Sequence, residues 1–284
     1  MSRPPRKLVC LGFGYCAEAL ARAAADDFAD IAGTTRQPGR ARALAAAGFS
    51  VLPFDRPDCV DGATHLAISA PPGADGDPVL AALGDRIAAE GGLAWIGYLS
   101  TTGVYGDRNG GWVGEEDAPR PDSARAQRRL AAERAWLAFG EAQGVPVQIF
   151  RLAGIYGPGR SALDRLRAGT ARRIVKPGHV FCRIHVADIA QALRASIARP
   201  AAGRIYNLAD DEPAPQADVV VFAARLLGVA PPPEERFETA ELPPPARGFY
   251  AGCRRVRNDR IKRELGVVLR FPSYREGLRD LAPP

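Results

Sequence analysis

Through its first half the chain alternates short, continuous apolar runs with longer stretches of helical periodicity. Strands are predicted over 7–11, 30–34, 50–54, 65–68, 94–99 and 147–152. Helices are predicted over 15–25, 40–47, 79–90 and 123–141. Unbroken apolar strands suit a sheet covered on both faces, and strands alternating with helices of this length suit parallel βαβ units. After Arg151 the texture changes: a Gly- and Pro-rich loop over 154–159, helices over 162–168, 186–198, 216–227 and 258–265, and strands over 180–184 and 204–208. A last turn or two follows Pro272, and proline clusters at 231–233 and 243–245 mark extended loops rather than linkers. The expected fold is α/β, a Rossmann-type doubly wound parallel sheet over 1–152. A smaller lobe is expected over 153–284, with elements near 185–210 returning to the core.

The most informative stretch joins the first strand to the first helix, Gly12-x-Gly14-x-x-Ala17. In that context Gly12 makes the tight turn, Gly14 lets a pyrophosphate approach the backbone, and Ala17 permits close helix–strand packing. The N–H groups of Tyr15, Cys16 and Ala17 then open a helix toward the phosphates. A carboxylate for an NAD ribose is expected about 20 residues further on. Here the segment reads Gly33-Thr34-Thr35-Arg36, without a carboxylate, so Thr34 and Arg36 point to a 2′-phosphate and hence to NADP, with NAD less favoured. Asp55 after the third strand is a candidate for the adenine edge. Ser69 and Ala70 after the fourth, and Leu152 closing the sixth, are candidates to line the cofactor.

Composition narrows the class. The 284 residues carry a formal charge of +6, yet of 38 basic residues only Lys7, Lys176 and Lys262 are lysines; the arginines are spread along the chain without a basic block. No nucleic-acid partner is expected, whereas an anionic small molecule is. Five dispersed cysteines without a CxxC pair, no long apolar run and no secretory leader suggest a cytoplasmic protein without a membrane partner. His65, His179 and His185 lack metal-ligand spacing, so no metal site is expected.

Four further segments extend the pattern. Ser100-Thr101-Thr102-Gly103-Val104-Tyr105-Gly106 follows the fifth strand, and Phe150-Arg151-Leu152-Ala153-Gly154-Ile155-Tyr156-Gly157-Pro158-Gly159-Arg160 contains the sixth strand's end. Arg183-Ile184-His185-Val186-Ala187-Asp188 and Tyr206-Asn207-Leu208-Ala209-Asp210 come later. In this order the chain resembles the extended short-chain dehydrogenase/reductases, the NAD-dependent epimerase/dehydratase group. The resemblance implies a Rossmann core with a substrate lobe. It also implies catalysis by a Ser/Thr with a Tyr-x-x-x-Lys dyad, in which the tyrosine moves a proton and the lysine tunes it and holds the ribose.

Thr101 matches the Ser/Thr position, but Arg125 stands where the tyrosine belongs and Arg129 where the lysine belongs. No tyrosine lies between Tyr105 and Tyr156, and no lysine between Lys7 and Lys176. A guanidinium stays protonated and cannot replace the phenol. Arg129 could still place charge beside the ribose. Tyr105 is a candidate replacement acid or a packing residue, and Asp107, Glu115, Glu116 and Asp117 are loop carboxylates that reach a substrate or solvent. His185 and Asp188 are expected to be structural. Arg125, Arg129, Arg151, Arg160 and Arg183 would make the cleft cationic if they point inward. The expectation is an NAD(P)-dependent oxidoreductase or epimerase/dehydratase-like enzyme, acting on a small or nucleotide-linked anionic substrate with a non-standard proton donor. The alternative is a non-catalytic NADP(H)-binding sensor or regulator. By analogy with relatives, the helix carrying Arg125 suggests a homodimer.

Overall fold

The computed structural model describes residues 6–54 and 56–282. In chain order its strands are β1 (Lys7–Leu11), β2 (Asp30–Thr34), β3 (Ser50–Leu52), β4 (His65–Ile68), β5 (Trp95–Thr101), β6 (Trp112–Val113) and β7 (Val147–Leu152). They continue with β8 (Gly154–Tyr156), β9 (Arg173–Val175), β10 (Arg183–His185), β11 (Ile205–Leu208), β12 (Glu234–Arg236) and β13 (Arg255–Val256). The helices are α1 (Tyr15–Ala23), α2 (Pro38–Ala46), α3 (Pro78–Ala89), α4 (Ala124–Gln143) and α5 (Ala162–Arg167). After these come α6 (Val186–Ala198), α7 (Gln216–Leu226), α8 (Pro244–Phe249), α9 (Asp259–Leu265) and α10 (Tyr274–Leu281). They divide into two compact units. Of the described residues, the first comprises those within 6–101, 124–151 and 189–206; the second comprises those within 102–123, 152–188 and 207–282.

The first unit is built on a seven-stranded sheet in the order β11-β7-β5-β4-β1-β2-β3. β1 lies between β2 and β4, and the pairings β3–β2, β2–β1, β1–β4 and β4–β5 are parallel. This is the doubly wound Rossmann-type α/β fold. Strands β1, β4, β5 and β7 are buried almost end to end, which is why apolar residues predominate in them; β7 also buries Gln148 and Arg151. One core gathers Val9, Leu11, Leu66, Ile68, Ile96, Tyr98 and Ile149 under Leu83 and Ile87 of α3 and Trp136 of α4. Elsewhere in the unit Trp95 Nε1 donates to Gln148 Oε1 (2.6 Å) and Ser196 Oγ (3.1 Å), so the indole N–H is satisfied where no water reaches it. Helix α3 starts on Asp77, whose carboxylate accepts from the Val79 and Leu80 N–H groups.

The second unit holds three small parallel pairs, β8–β10, β9–β12 and β6–β13. Its main apolar cluster joins Leu163 of α5, Val219 and Ala223 of α7, and Tyr274 and Leu278 of α10. Helix α5 opens with a capping box in which Ser161 and Asp164 satisfy each other's backbone N–H. Two expectations need correction. The segment 154–159, expected as a loop, begins with the strand β8, and the strand expected over 180–184 lies at Arg183–His185. The cause is one register: β8 and β10 pair with each other, Gly154 against Arg183 and Tyr156 against His185. Phe181 is left to an isolated antiparallel bridge with Ala214.

Candidate functional site

The glycine turn of the first unit is wedged between the ends of two neighbouring strands. Gly12 adopts φ +92°, and an added Cβ would lie 2.7 Å from Ala70 N, so no side chain fits there. Its N–H donates to Thr34 Oγ1 (3.1 Å) at the end of β2, and its carbonyl accepts from Ser69 Oγ beyond β4. Phe13 N donates to Thr34 O (2.6 Å), and a Cβ at Gly33 would meet the Phe13 ring at 2.5 Å. Thr34, Ser69 and Ala70, expected around a cofactor, are thus brought together by the turn itself.

Gly14 is the N-cap of α1, and no side chain caps that helix. A Cβ on Gly14 would have Gly12 O as its nearest neighbour, 4.0 Å away, so the cradle is open on this side. An open backbone turn leading into an uncapped helix suits a pyrophosphate, with Tyr15, Cys16 and Ala17 forming the first turn. The residues present therefore fit a dinucleotide. Arg36 is exposed in the turn after β2. Arg40, in the first turn of α2, is already engaged: it pairs with Glu18 of α1 (2.6 Å) and donates to Phe13 O (3.3 Å). Asp55, proposed for the adenine edge, lies outside the described residues.

Beyond β5 the sequence candidates separate. Thr101 ends β5 half-exposed, and Arg125 is exposed on the first turn of α4. One turn along α4, Arg129 is half-buried; its Nη1 donates to Tyr98 OH (3.0 Å) and to Leu99 O (3.0 Å), with the guanidinium 5.5 Å from the Tyr98 ring centre. Burial raises the Tyr98 pKa while the Arg129 charge opposes it, so the phenol stays protonated. Sequence reasoning missed Tyr98. The signal was period two along β5, which puts Tyr98 and Ser100 on one face of the strand.

Tyr105, in the second unit, is 0% exposed and its hydroxyl donates to Asn207 Oδ1 (2.9 Å). The loop carboxylates of this unit also have protein partners. Asp107 accepts from the Asn109 and Cys253 N–H groups, which hold its pKa down, and Glu115 accepts from Asn207 N. Glu116 pairs with Arg260, and Asp117 accepts from Gly114 N.

The cationic cleft expected from five arginines is corrected in part. Arg151 is 3% exposed and pairs at 2.7 Å with the equally buried Glu133 of α4, which also accepts from Ser100 Oγ. Arg183 is buried and donates to Phe181 O, Ala214 O and Gln216 Oε1. Both are interior because their backbones lie in or beside buried strands. Arg125 and Arg160 are exposed. His185 and Asp188 are structural. His185 Nδ1 accepts from Ala187 N (3.2 Å), and burial lowers its pKa to about 4. Asp188 accepts from Arg270 N (2.7 Å) and Phe271 N (3.1 Å), fastening the segment before α10 rather than capping its own helix. Leu152 is buried at the end of β7. Among the described residues no group of three His, Cys, Asp or Glu could hold a metal, and no helix is long and apolar enough to cross a membrane.

This fold and glycine turn define a Rossmann-type α/β protein. Residues 86–209, somewhat less than half of the chain, match the NAD dependent epimerase/dehydratase family. Along nearly its whole length the chain is similar to a functionally unknown conserved protein from Silicibacter pomeroyi. The two are 51% identical over 97% of this chain and 98% of that one, with a TM-score of 0.92. A 3-diazoavenalumate denitrifying reductase from a Streptomyces species is 34% identical over 176 residues, 57% of this chain. The match spans about half of that relative, 55% of its length. The dTDP-glucose 4,6-dehydratase from Bacillus anthracis, solved with NAD, shares 15% identity over 97% of this chain and 95% of its own, with a TM-score of 0.76; that likeness is one of fold.

Proposed function

We propose that the protein is an NADP(H)-dependent oxidoreductase acting on a small anionic substrate without a tyrosine acid. The observation that carries the reading is the turn at Gly12–Gly14: locked to Thr34 and Ser69 on one side, open at Gly14 on the other, and leading into an uncapped helix. A nicotinamide held there would supply or accept two electrons with one hydrogen. Gly12, Gly14 and the first turn of α1 (Tyr15, Cys16, Ala17) hold the pyrophosphate. Thr34 shapes the turn, Arg36 binds the 2′-phosphate, and Ser69 and Ala70 line the cofactor. Thr101 and Arg129 serve its nicotinamide end.

Arg129, anchored on Tyr98 and Leu99, supplies a fixed positive charge in place of the family lysine. With Tyr105 buried on Asn207 and Arg125 exposed, proton transfer falls to the Thr101 hydroxyl and water. The name of the Streptomyces relative supports reductive chemistry over epimerisation.

One observation favours a second reading, a non-catalytic NADP(H)-binding regulator: the tyrosine position holds a guanidinium, which cannot donate a proton at neutral pH. A single experiment separates the two. Purified protein is incubated with NADPH deuterated on each face in turn and with a bacterial metabolite extract, and deuterium is followed by mass spectrometry. The oxidoreductase reading expects protein-dependent transfer into one metabolite. Confirmed NADPH binding with no transfer supports the regulator.

A further inference from the structure

In the first unit, period two along β5 meets period four along α4. Arg129 Nη1 donates to Tyr98 OH (3.0 Å) and to Leu99 O (3.0 Å), and one turn further on, Glu133 accepts from Ser100 Oγ. Four residues of helix rise about 6 Å and two residues of strand about 6.6 Å, so both contacts form in one register. The two rungs differ in charge. At the second, Glu133 is neutralised by Arg151 of β7 at 2.7 Å. At the first, Tyr98 is a phenol that burial keeps protonated, so it fixes the guanidinium without cancelling its charge. Tyr98 is 0% exposed, and its ring centre lies 6.4 Å from that of the equally buried Trp136. Both bonds of the first rung use Nη1, which leaves the Nε hydrogen and both Nη2 hydrogens of a half-buried guanidinium. A lysine would have one nitrogen for anchoring and for binding alike.

The sheet register locates that charge relative to the glycine turn. Leu11 pairs with Ile68 and Ile68 with Tyr98, so one row crosses β1, β4 and β5. Gly12, Ser69 and Leu99 follow these residues in the chain, at the carboxyl edge where open α/β sheets take their ligands. Neighbouring strands lie about 4.8 Å apart, which puts the backbone that anchors Arg129 about 10 Å along the edge from the turn. Thr34 pairs with Leu11 from the opposite side, on β2, and the exposed Arg36 lies just beyond it. A dinucleotide with its pyrophosphate at the turn and its 2′-phosphate toward Arg36 therefore runs its second nucleoside over β4 and β5.

We infer, on the cofactor reading of the glycine turn, that Tyr98 is a positioning residue: it holds the Arg129 guanidinium so that Nε and Nη2 meet the second nucleoside of the cofactor. Tyr98 touches no part of the cofactor and acts through Arg129 alone.

Equilibrium binding to the full chain is measured with two probes, NADPH and adenosine 2′,5′-bisphosphate, which lacks the second nucleoside. Tyr98→Phe should weaken NADPH about threefold to tenfold, the effect of one hydrogen bond, and leave the bisphosphate unchanged. Arg129→Met should weaken NADPH about tenfold or more, and in that background Tyr98→Phe should have no further effect. Should Tyr98→Phe not fold, Arg129→Lys decides: an ammonium spends two of its three protons on Tyr98 and Leu99, so most of the NADPH affinity should be lost. NADPH binding unmoved by Tyr98→Phe, equal losses for both probes, the same loss with and without Arg129, or wild-type affinity in Arg129→Lys each overturns the inference. In all four cases the wild-type chain still binds both probes and the cofactor reading stands. A wild-type chain that binds neither probe overturns the cofactor reading and this inference with it.

Discussion

Gly12 does two things that no other residue type could do together. It adopts a positive φ, and it leaves room for the Ala70 amide. Gly12→Ala should cost about 1–3 kcal/mol from backbone strain and close contact, read as a lower melting temperature, together with loss of dinucleotide binding. The buried Glu133–Arg151 pair is a second residue-scale feature with a sharp expectation. Glu133→Gln leaves the Arg151 charge without its counterion and should destabilise by about 3–5 kcal/mol in denaturant titration. An effect under 1 kcal/mol would mean that water reaches the pair. At this scale the turn was legible in the sequence, because glycine spacing encodes backbone geometry directly. The fates of Arg151, Arg183 and Tyr105 were not: a sequence of some 35 arginines does not say which guanidinium meets a carboxylate inside the fold.

At the scale of elements, the strands of the large sheet were legible because burial on both faces writes itself as a predominantly apolar run. β8, β9, β12 and β13 are two or three residues long, and their pairing rather than their composition defines them. Such strands leave no periodicity to read. Capping shows the same division. Asp77 before Pro78 holds α3 by local chemistry, and Asp77→Ala should cost about 1 kcal/mol, measured as a drop in melting temperature. Asp188 sits in the first turn of α6 yet binds the backbone at 270–271, a contact across 82 and 83 residues that no local pattern announces.

For the whole molecule, His185 gives a pH dependence with a defined sign. Its pKa is about 4 in the folded chain, because burial disfavours the imidazolium, against about 6.5 when unfolded. The unfolded state therefore binds more protons between those values. The contribution is full above pH 6.5, falls as the pH drops from about 6.5 to 4, and amounts to about 3 kcal/mol. His185→Asn keeps an acceptor for Ala187 N but does not titrate, so its stability difference from the wild type should change over that window alone. A difference constant from pH 7 to 4 would show that folding does not lower the His185 pKa.

The proposed activity depends on a dinucleotide held by the turn at Gly12–Gly14, with its 2′-phosphate on Arg36. The most direct measurement is equilibrium binding of NADPH and NADH to the wild-type chain and to Arg36→Ala. NADPH is expected to bind more tightly than NADH. The substitution should cost NADPH about 1–3 kcal/mol, the size of a charged hydrogen bond, and leave NADH nearly unchanged. Equal losses for both cofactors would contradict the role of Arg36, and no binding of either would contradict the site itself.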